Sequence, residues 1–382
     1  MSITKHVGPF ILTLFLSCQV KAAPLENSHR TALLTLGELI FFDTTLSKTG
    51  NQSCASCHDP ATAFIDSRQN ESEGAVSLGD DNKSLGSRNT PSISYAASTP
   101  EFAVDEEGYI GGLFLDGRAK TLPEQALEPF VNPLEMALPS HDALVIKIQA
   151  NPVYKTLLET LHDRRATSAG QVLATVGDAL AAFQMGPEFN TFDAKYDRFL
   201  AGEAELSALE ERGRSLFFSQ LANCSQCHML NTATAKANET FTNYRYHNIG
   251  VPGNETVNEL ASNKSALPDM GLYENPQVSN ENERGKFKVP TLRNVAVTAP
   301  YMHNGVFREL EAAVHFYNQY IVTNPDTKTN PETGEHWQAP EVSENISVDI
   351  LKQGQPMDKQ RVAAIVAFLK TLTDKRYEAL LE

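Results

Sequence analysis

The sequence predicts a mainly α-helical protein built from two small helical units joined by long loops. Three observations carry this. Segments with apolar residues at helical spacing recur along the 382 residues. Evidence for strands is scant. One pattern also occurs twice: Gly37 precedes Phe41 and Phe42 as Gly213 precedes Phe217 and Phe218, and each run leads into a Cys-x-x-Cys-His unit.

Taken in order, the chain begins with Lys5 and His6, a short apolar run over residues 10–16, and small residues at Ala22 and Ala23. The run is too short for a membrane span and has the layout of a secretory signal, so residues 1–23 are expected to be removed and the protein exported to the periplasm. Cys18 offers a lipidated N-terminus instead, although Phe15, Leu16 and Ser17 make a poor box for it.

Residues 31–43 carry helical periodicity. Residues 60–115, rich in Asn, Ser, Gly and Pro, read as loop. Helices are expected over 122–130, 142–149 and 172–183, completing a first unit over 24–190. A helix over 206–218 opens a second unit, 191–345. Within it, 229–290 is mostly loop, 309–317 a helix and 322–348 a polar excursion. Residues 346–382 are expected to form a closing amphipathic helix, over 358–372, that packs back on the first unit.

Loss of Lys5 and Lys21 with the signal leaves 30 basic residues against 47 acidic ones. A net charge near −17 argues against nucleic acid or an anionic membrane as partner. It suits a basic partner such as a small electron-carrier protein, and equally a chain that is simply soluble.

Four of the five cysteines lie in Cys54-Ala55-Ser56-Cys57-His58 and Cys224-Ser225-Gln226-Cys227-His228, leaving none for a structural disulfide in the mature chain. Cys-x-x-Cys-His is the c-type haem attachment motif. Two thiols one turn apart can add to the vinyl groups of one haem, and the next residue presents its imidazole to the iron. Export fits, because this attachment occurs outside the cytoplasm. The competing readings are a zinc site, whose half-sites normally lie closer together, and a redox dithiol, which does not need the His.

Two such units ~170 residues apart resemble the di-haem cytochrome c peroxidase and MauG family. So do Leu115-Asp116-Gly117-Arg118-Ala119, Glu124-Gln125-Ala126-Leu127 and Asn132-Pro133-Leu134-Glu135-Met136. So do Val289-Pro290-Thr291-Leu292-Arg293-Asn294-Val295 and Ala299-Pro300-Tyr301-Met302-His303-Asn304-Gly305. The resemblance covers about residues 30–320 and the last helix. It implies two covalently bound haems c, held through His58 and His228, the first meeting hydrogen peroxide and the second relaying electrons. It makes Glu135 the acid–base carboxylate and Gln125 the residue that orients peroxide or its water. It places Tyr317, where peroxidases of the family carry Met, on the second iron; a phenolate there favours oxidised iron. A packing Tyr317, with Met302 or Met270 as ligand, is the competing reading. It also implies one Ca²⁺ held by Asn89, Thr298 and Pro300, the last two through carbonyls. Many family peroxidases block the first iron with a His until the second is reduced. The corresponding loop, residues 84–90, contains none, so an open site without reductive activation is expected.

The chain departs from the family in two places. Leu115 stands where an inter-haem Trp is usual, and Ala222 where MauG has an exit Trp; the one Trp, Trp337, lies outside both motifs. An aliphatic side chain cannot be oxidised as an indole can, so Phe114, a nearby Tyr or direct tunnelling would have to serve. The expected function is therefore reduction of peroxide with electrons from a small cytochrome or copper protein. The alternatives are MauG-like oxidation of a partner protein's side chains and a non-catalytic electron carrier. Family peroxidases are often dimers, and monomer and homodimer are both open.

Overall fold

The computed structural model describes residues 23–165, 167–230, 238–260, 268–324 and 328–381. The expected signal up to residue 22, with Cys18, lies outside them. Among the described residues no helix is long and apolar enough to cross a membrane.

The first half contains α1 (Ala23–Phe42), α2 (Cys54–Cys57), α3 (Leu122–Val131), α4 (His141–Ala150), α5 (Pro152–Leu161) and α6 (Ala169–Gln184). The second contains α7 (Lys195–Leu200), α8 (Ala208–Phe217), α9 (Glu255–Leu260), α10 (Leu310–Phe316), α11 (Asn318–Ile321), α12 (Val348–Leu351) and α13 (Lys359–Lys370). Several starts are written in the sequence. Ser168 and Ser207 form capping boxes with Gln171 and Glu210. Asn151 caps α5, with Pro152 at its first position. Strand is confined to two antiparallel pairs, β1 (Ala103–Asp105) with β2 (Gly108–Ile110), and β3 (Tyr246–His247) with β4 (Phe287–Lys288). The fold is mainly α, as the periodicity predicts.

The repeated Gly–Phe–Phe pattern is a repeated helix crossing. A Cβ on Gly37 would lie 2.0 Å from the Ala179 carbonyl oxygen of α6, and one on Gly213 would lie 1.8 Å from that of Ala364 in α13. Only glycine lets the two backbones approach this closely. The flanking rings match too. Phe41 meets Phe183 at 5.4 Å and Phe217 meets Phe368 at 5.2 Å, centroid to centroid. Each crossing centres its own apolar core. One gathers Leu36, Ile40, Phe130, Val176 and Phe189; the other gathers Tyr196, Phe241, Val362, Ile365 and Phe368.

This corrects one expectation. The closing helix packs on α8 in the second unit, because its small and aromatic face matches Gly213 and Phe217. The turn after it, Lys375–Leu381, reaches the first unit, where the Tyr377 hydroxyl donates to the Pro60 carbonyl at 2.9 Å. Sequence reading also missed α5, α7 and the short strands.

Candidate functional site

Each Cys-x-x-Cys-His unit folds as one tight turn. Cys54–Cys57 is a single helical turn, and the His58 N–H donates to the Cys54 carbonyl at 2.9 Å; His228 does the same to Cys224 at 3.0 Å. The ring of His58 donates from Nδ1 to the Phe64 carbonyl (3.1 Å), and that of His228 to the Phe241 carbonyl (3.0 Å). This fixes the tautomer and leaves each Nε2 lone pair for a metal. Burial lowers the pKa of His58, and lowers that of His228 to about 4, so both rings are neutral at pH 7. Burial pushes the Cys54 and Cys224 thiols up to about 12, the opposite of a reactive redox dithiol. No group of three His, Cys, Asp or Glu among the described residues is arranged to hold a metal ion. The residues present fit covalently attached haem.

Beyond each unit lies the same hairpin. The Leu113 N–H donates to the Ala119 carbonyl at 2.7 Å, and Tyr301 to Phe307 at 2.6 Å. Phe114 and Met302 take positive φ at the second position (62° and 74°), and Gly117 and Gly305 at the fifth (69° and 66°). A helix starts three residues after each hairpin, α3 at Leu122 and α10 at Leu310. The eighth residue from each start is Pro129 in the first half and Tyr317 in the second. Proline has no side-chain donor atom for a metal.

Tyr317 lies in the core that contains Cys224, Ala222 and Leu230. Burial, reinforced by Cys227 and Cys224, raises its pKa well above the usual phenol value, so ionisation there needs a cation such as ferric iron. Met302 packs in a neighbouring cluster with Phe307 and Phe316. The Met270 backbone joins a turn with Gly285.

A cavity of about 240 Å³ in the first half is lined by Phe114, Arg118, Glu128, Val131, Asn132 and Glu135. Glu135 accepts from Asn132 Nδ2 at 2.7 Å. Burial raises its pKa, opposed by the Arg118 charge and the Asn132 hydrogen bond. Gln125 sits on α3 within a turn of Glu128 and does not line the cavity. In the sequence Arg118 stands out only as part of the Leu115–Ala119 motif. Its presence beside Glu135 follows from the hairpin.

The loop over residues 84–90 is fastened by Arg88, which pairs with Asp116, Asp269 and Glu274. Next to it, the Asn89 N–H donates to the His303 carbonyl at 2.8 Å and its Nδ2 to the Ala75 carbonyl at 3.0 Å. Thr298 and Pro300 lie in the segment leading to His303. At the departures from the family pattern, Leu115 accepts through its carbonyl from the Lys288 N–H at 2.9 Å, tying the halves together. Trp337 packs on α10, edge-on to Phe316 at 5.1 Å and to Phe307 at 5.3 Å.

Comparison with known proteins agrees with this arrangement. A sequence model of the family described as di-haem cytochrome c peroxidase matches residues 31–205. The methylamine utilization protein MauG of Paracoccus denitrificans is 47% identical over 353 residues, 92% of this chain and 91% of that protein. The chain belongs to the di-haem cytochrome c peroxidase/MauG family. Cytochrome c551 peroxidase of Nitrosomonas europaea is 28% identical, over 93% of this chain and 83% of that one. The diheme peroxidase BthA of Burkholderia thailandensis superposes with a TM-score of 0.76 at 30% identity, covering 90% and 86% of the two chains. Membership makes this chain an oxidoreductase and implies two haems c.

Proposed function

We propose that this family member reduces hydrogen peroxide to water in the cavity at Glu135, using electrons that an external donor delivers through the haem at His228. The carrying observation is the contrast at one helical position. Pro129 stands in the first half where Tyr317 stands in the second, so the first half offers no side-chain ligand at that position and would leave its iron to a small oxidant. Cys54, Cys57 and His58 would hold the first haem, and Cys224, Cys227, His228 and Tyr317 the second. When bound, the haems supply the iron that takes peroxide and the iron that passes electrons.

The protein's own part is proton handling. Burial raises the pKa of Glu135, so its carboxylate is a stronger base than an exposed one and can take a proton from one peroxide oxygen and return it to the other. Asn132 holds that carboxylate in place; Gln125, which does not line the cavity, has no part in the step. Asn89, Thr298 and Pro300 would hold Ca²⁺ between the halves through oxygen atoms. The donor would be a small cytochrome or copper protein, and the chain would work in the periplasm.

A second reading, oxidation of a partner protein's side chain, is favoured by Tyr317 and by the likeness to MauG. Leu115 and Ala222 weigh against it, because neither can carry an oxidising equivalent as an indole would. Mixing the diferric protein with peroxide tests the proposal. A rapid Soret change and turnover with a reduced small c-type cytochrome are expected. Slow bleaching without turnover would leave only an electron carrier.

A further inference from the structure

Arg118 is held by three contacts. Its N–H donates to Asp116 Oδ1 at 3.1 Å, and its Nη1 donates to Asp116 Oδ2 at 2.8 Å. Its guanidinium carbon lies 3.6 Å from the centroid of the Phe114 ring. Asp116 is only 2% exposed and is anchored in turn by Arg88. Nε and Nη2 of Arg118 make no hydrogen bond to the described residues, and the side chain lines the same cavity as Glu135. A guanidinium fixed on one edge, with its other edge unengaged beside a carboxylate, forms a donor fork for a small anion.

We propose that Arg118 is an anion-binding residue of the cavity, holding the outer oxygen of peroxide while the O–O bond breaks. This rests on the peroxidase reading above. Glu135 takes the proton of the inner oxygen and passes it to the outer oxygen. That oxygen leaves as water with the bonding electron pair, and Arg118 donates to it as negative charge develops. The bound haem would supply an electron pair in place of the one that leaves with that oxygen, and two electrons from the external donor with two protons would complete the second water. Glu135 alone can move the proton. Arg118 adds the charge that steadies the leaving oxygen, and Asp116 acts through Arg118 as a positioning residue.

The test is fluoride binding to the ferric holoprotein, read from the high-spin charge-transfer band, so no turnover is needed. Arg118→Gln, with both haems retained by pyridine haemochrome count, should weaken fluoride binding roughly ten- to a hundredfold, the weight of one hydrogen bond to a charged group. Arg118→Met keeps the stem on Phe114 and should do the same if the Gln variant assembles poorly; Arg118→Lys should recover part of the affinity. Fluoride affinity unchanged in the Gln and Met variants would overturn the role of Arg118 while leaving the open site standing. A parent protein that binds no fluoride and gives no response to peroxide would overturn both.

Discussion

Arg293 donates through Nη2 to Asp197 Oδ1 at 2.8 Å, and with 0% and 4% of their side chains exposed the two groups sit inside the second unit. A second bond joins Nη1 to Oδ2, and Nε donates to the Glu239 carbonyl. The guanidinium also faces the rings of Tyr95, Phe192 and Phe241, so it bridges the two halves. Removing one partner leaves a buried charge without its counterpart. Asp197→Ala should therefore cost about 3–5 kcal/mol in guanidinium unfolding of the holoprotein. A loss below about 1 kcal/mol would show the pair to be dispensable.

The two glycine crossings make a paired prediction. Gly37→Ala and Gly213→Ala each drive a methyl group into a facing carbonyl, and each should destabilise its own unit by at least about 2 kcal/mol. Haem loss should be confined to the unit that carries the substitution. Gly170→Ala, at a position on α6 with nothing within 4 Å, should be neutral or mildly stabilising.

Glu135→Gln separates catalysis from stability. The peroxide-driven Soret change should slow by about a hundredfold or more. Stability should move the other way. Burial raises the Glu135 pKa above its unfolded value, so the folded protein favours the protonated form. That contribution is full below the unfolded pKa and is lost as pH rises through the folded one. The Gln variant has no carboxylate to ionise. Its Tm should match the parent's in acid and exceed it increasingly toward neutral pH.

Tyr317→Met would replace the proposed phenolate ligand by a thioether. The potential of the second haem should rise markedly in spectroelectrochemical titration while the first stays put. An unchanged potential would place Tyr317 in packing alone.

Much of this was legible because it is local. Cys54, Cys57 and His58 lie within one turn, and their spacing announces their chemistry. Helices α3, α6, α8 and α10 show their period directly, and α6 and α8 also show their capping boxes. The Gly37 and Gly213 echo was visible, but its meaning required the partner helix, and the apolar face of α13 could have suited either unit until Gly213 was seen against Ala364. Arg118 escaped notice for a related reason. Its orientation depends on Asp116, and Asp116 on Arg88, an ion cluster that extends to Asp269 across about half the chain. The start of α5 was readable at Asn151-Pro152, which cap it as the pair usually does. Trp337 lay in a polar stretch that gave no hint of its place on α10.

The matched hairpins mean that one scaffold can be set to either of two tasks by the occupant of a single helical seat. On the proposed reading, a phenol in that seat would stopper an iron and make it a conductor, while an imino acid would leave a mouth open to chemistry. Divergence at that seat would suffice to split the labour between two halves built on the same hairpin and helix.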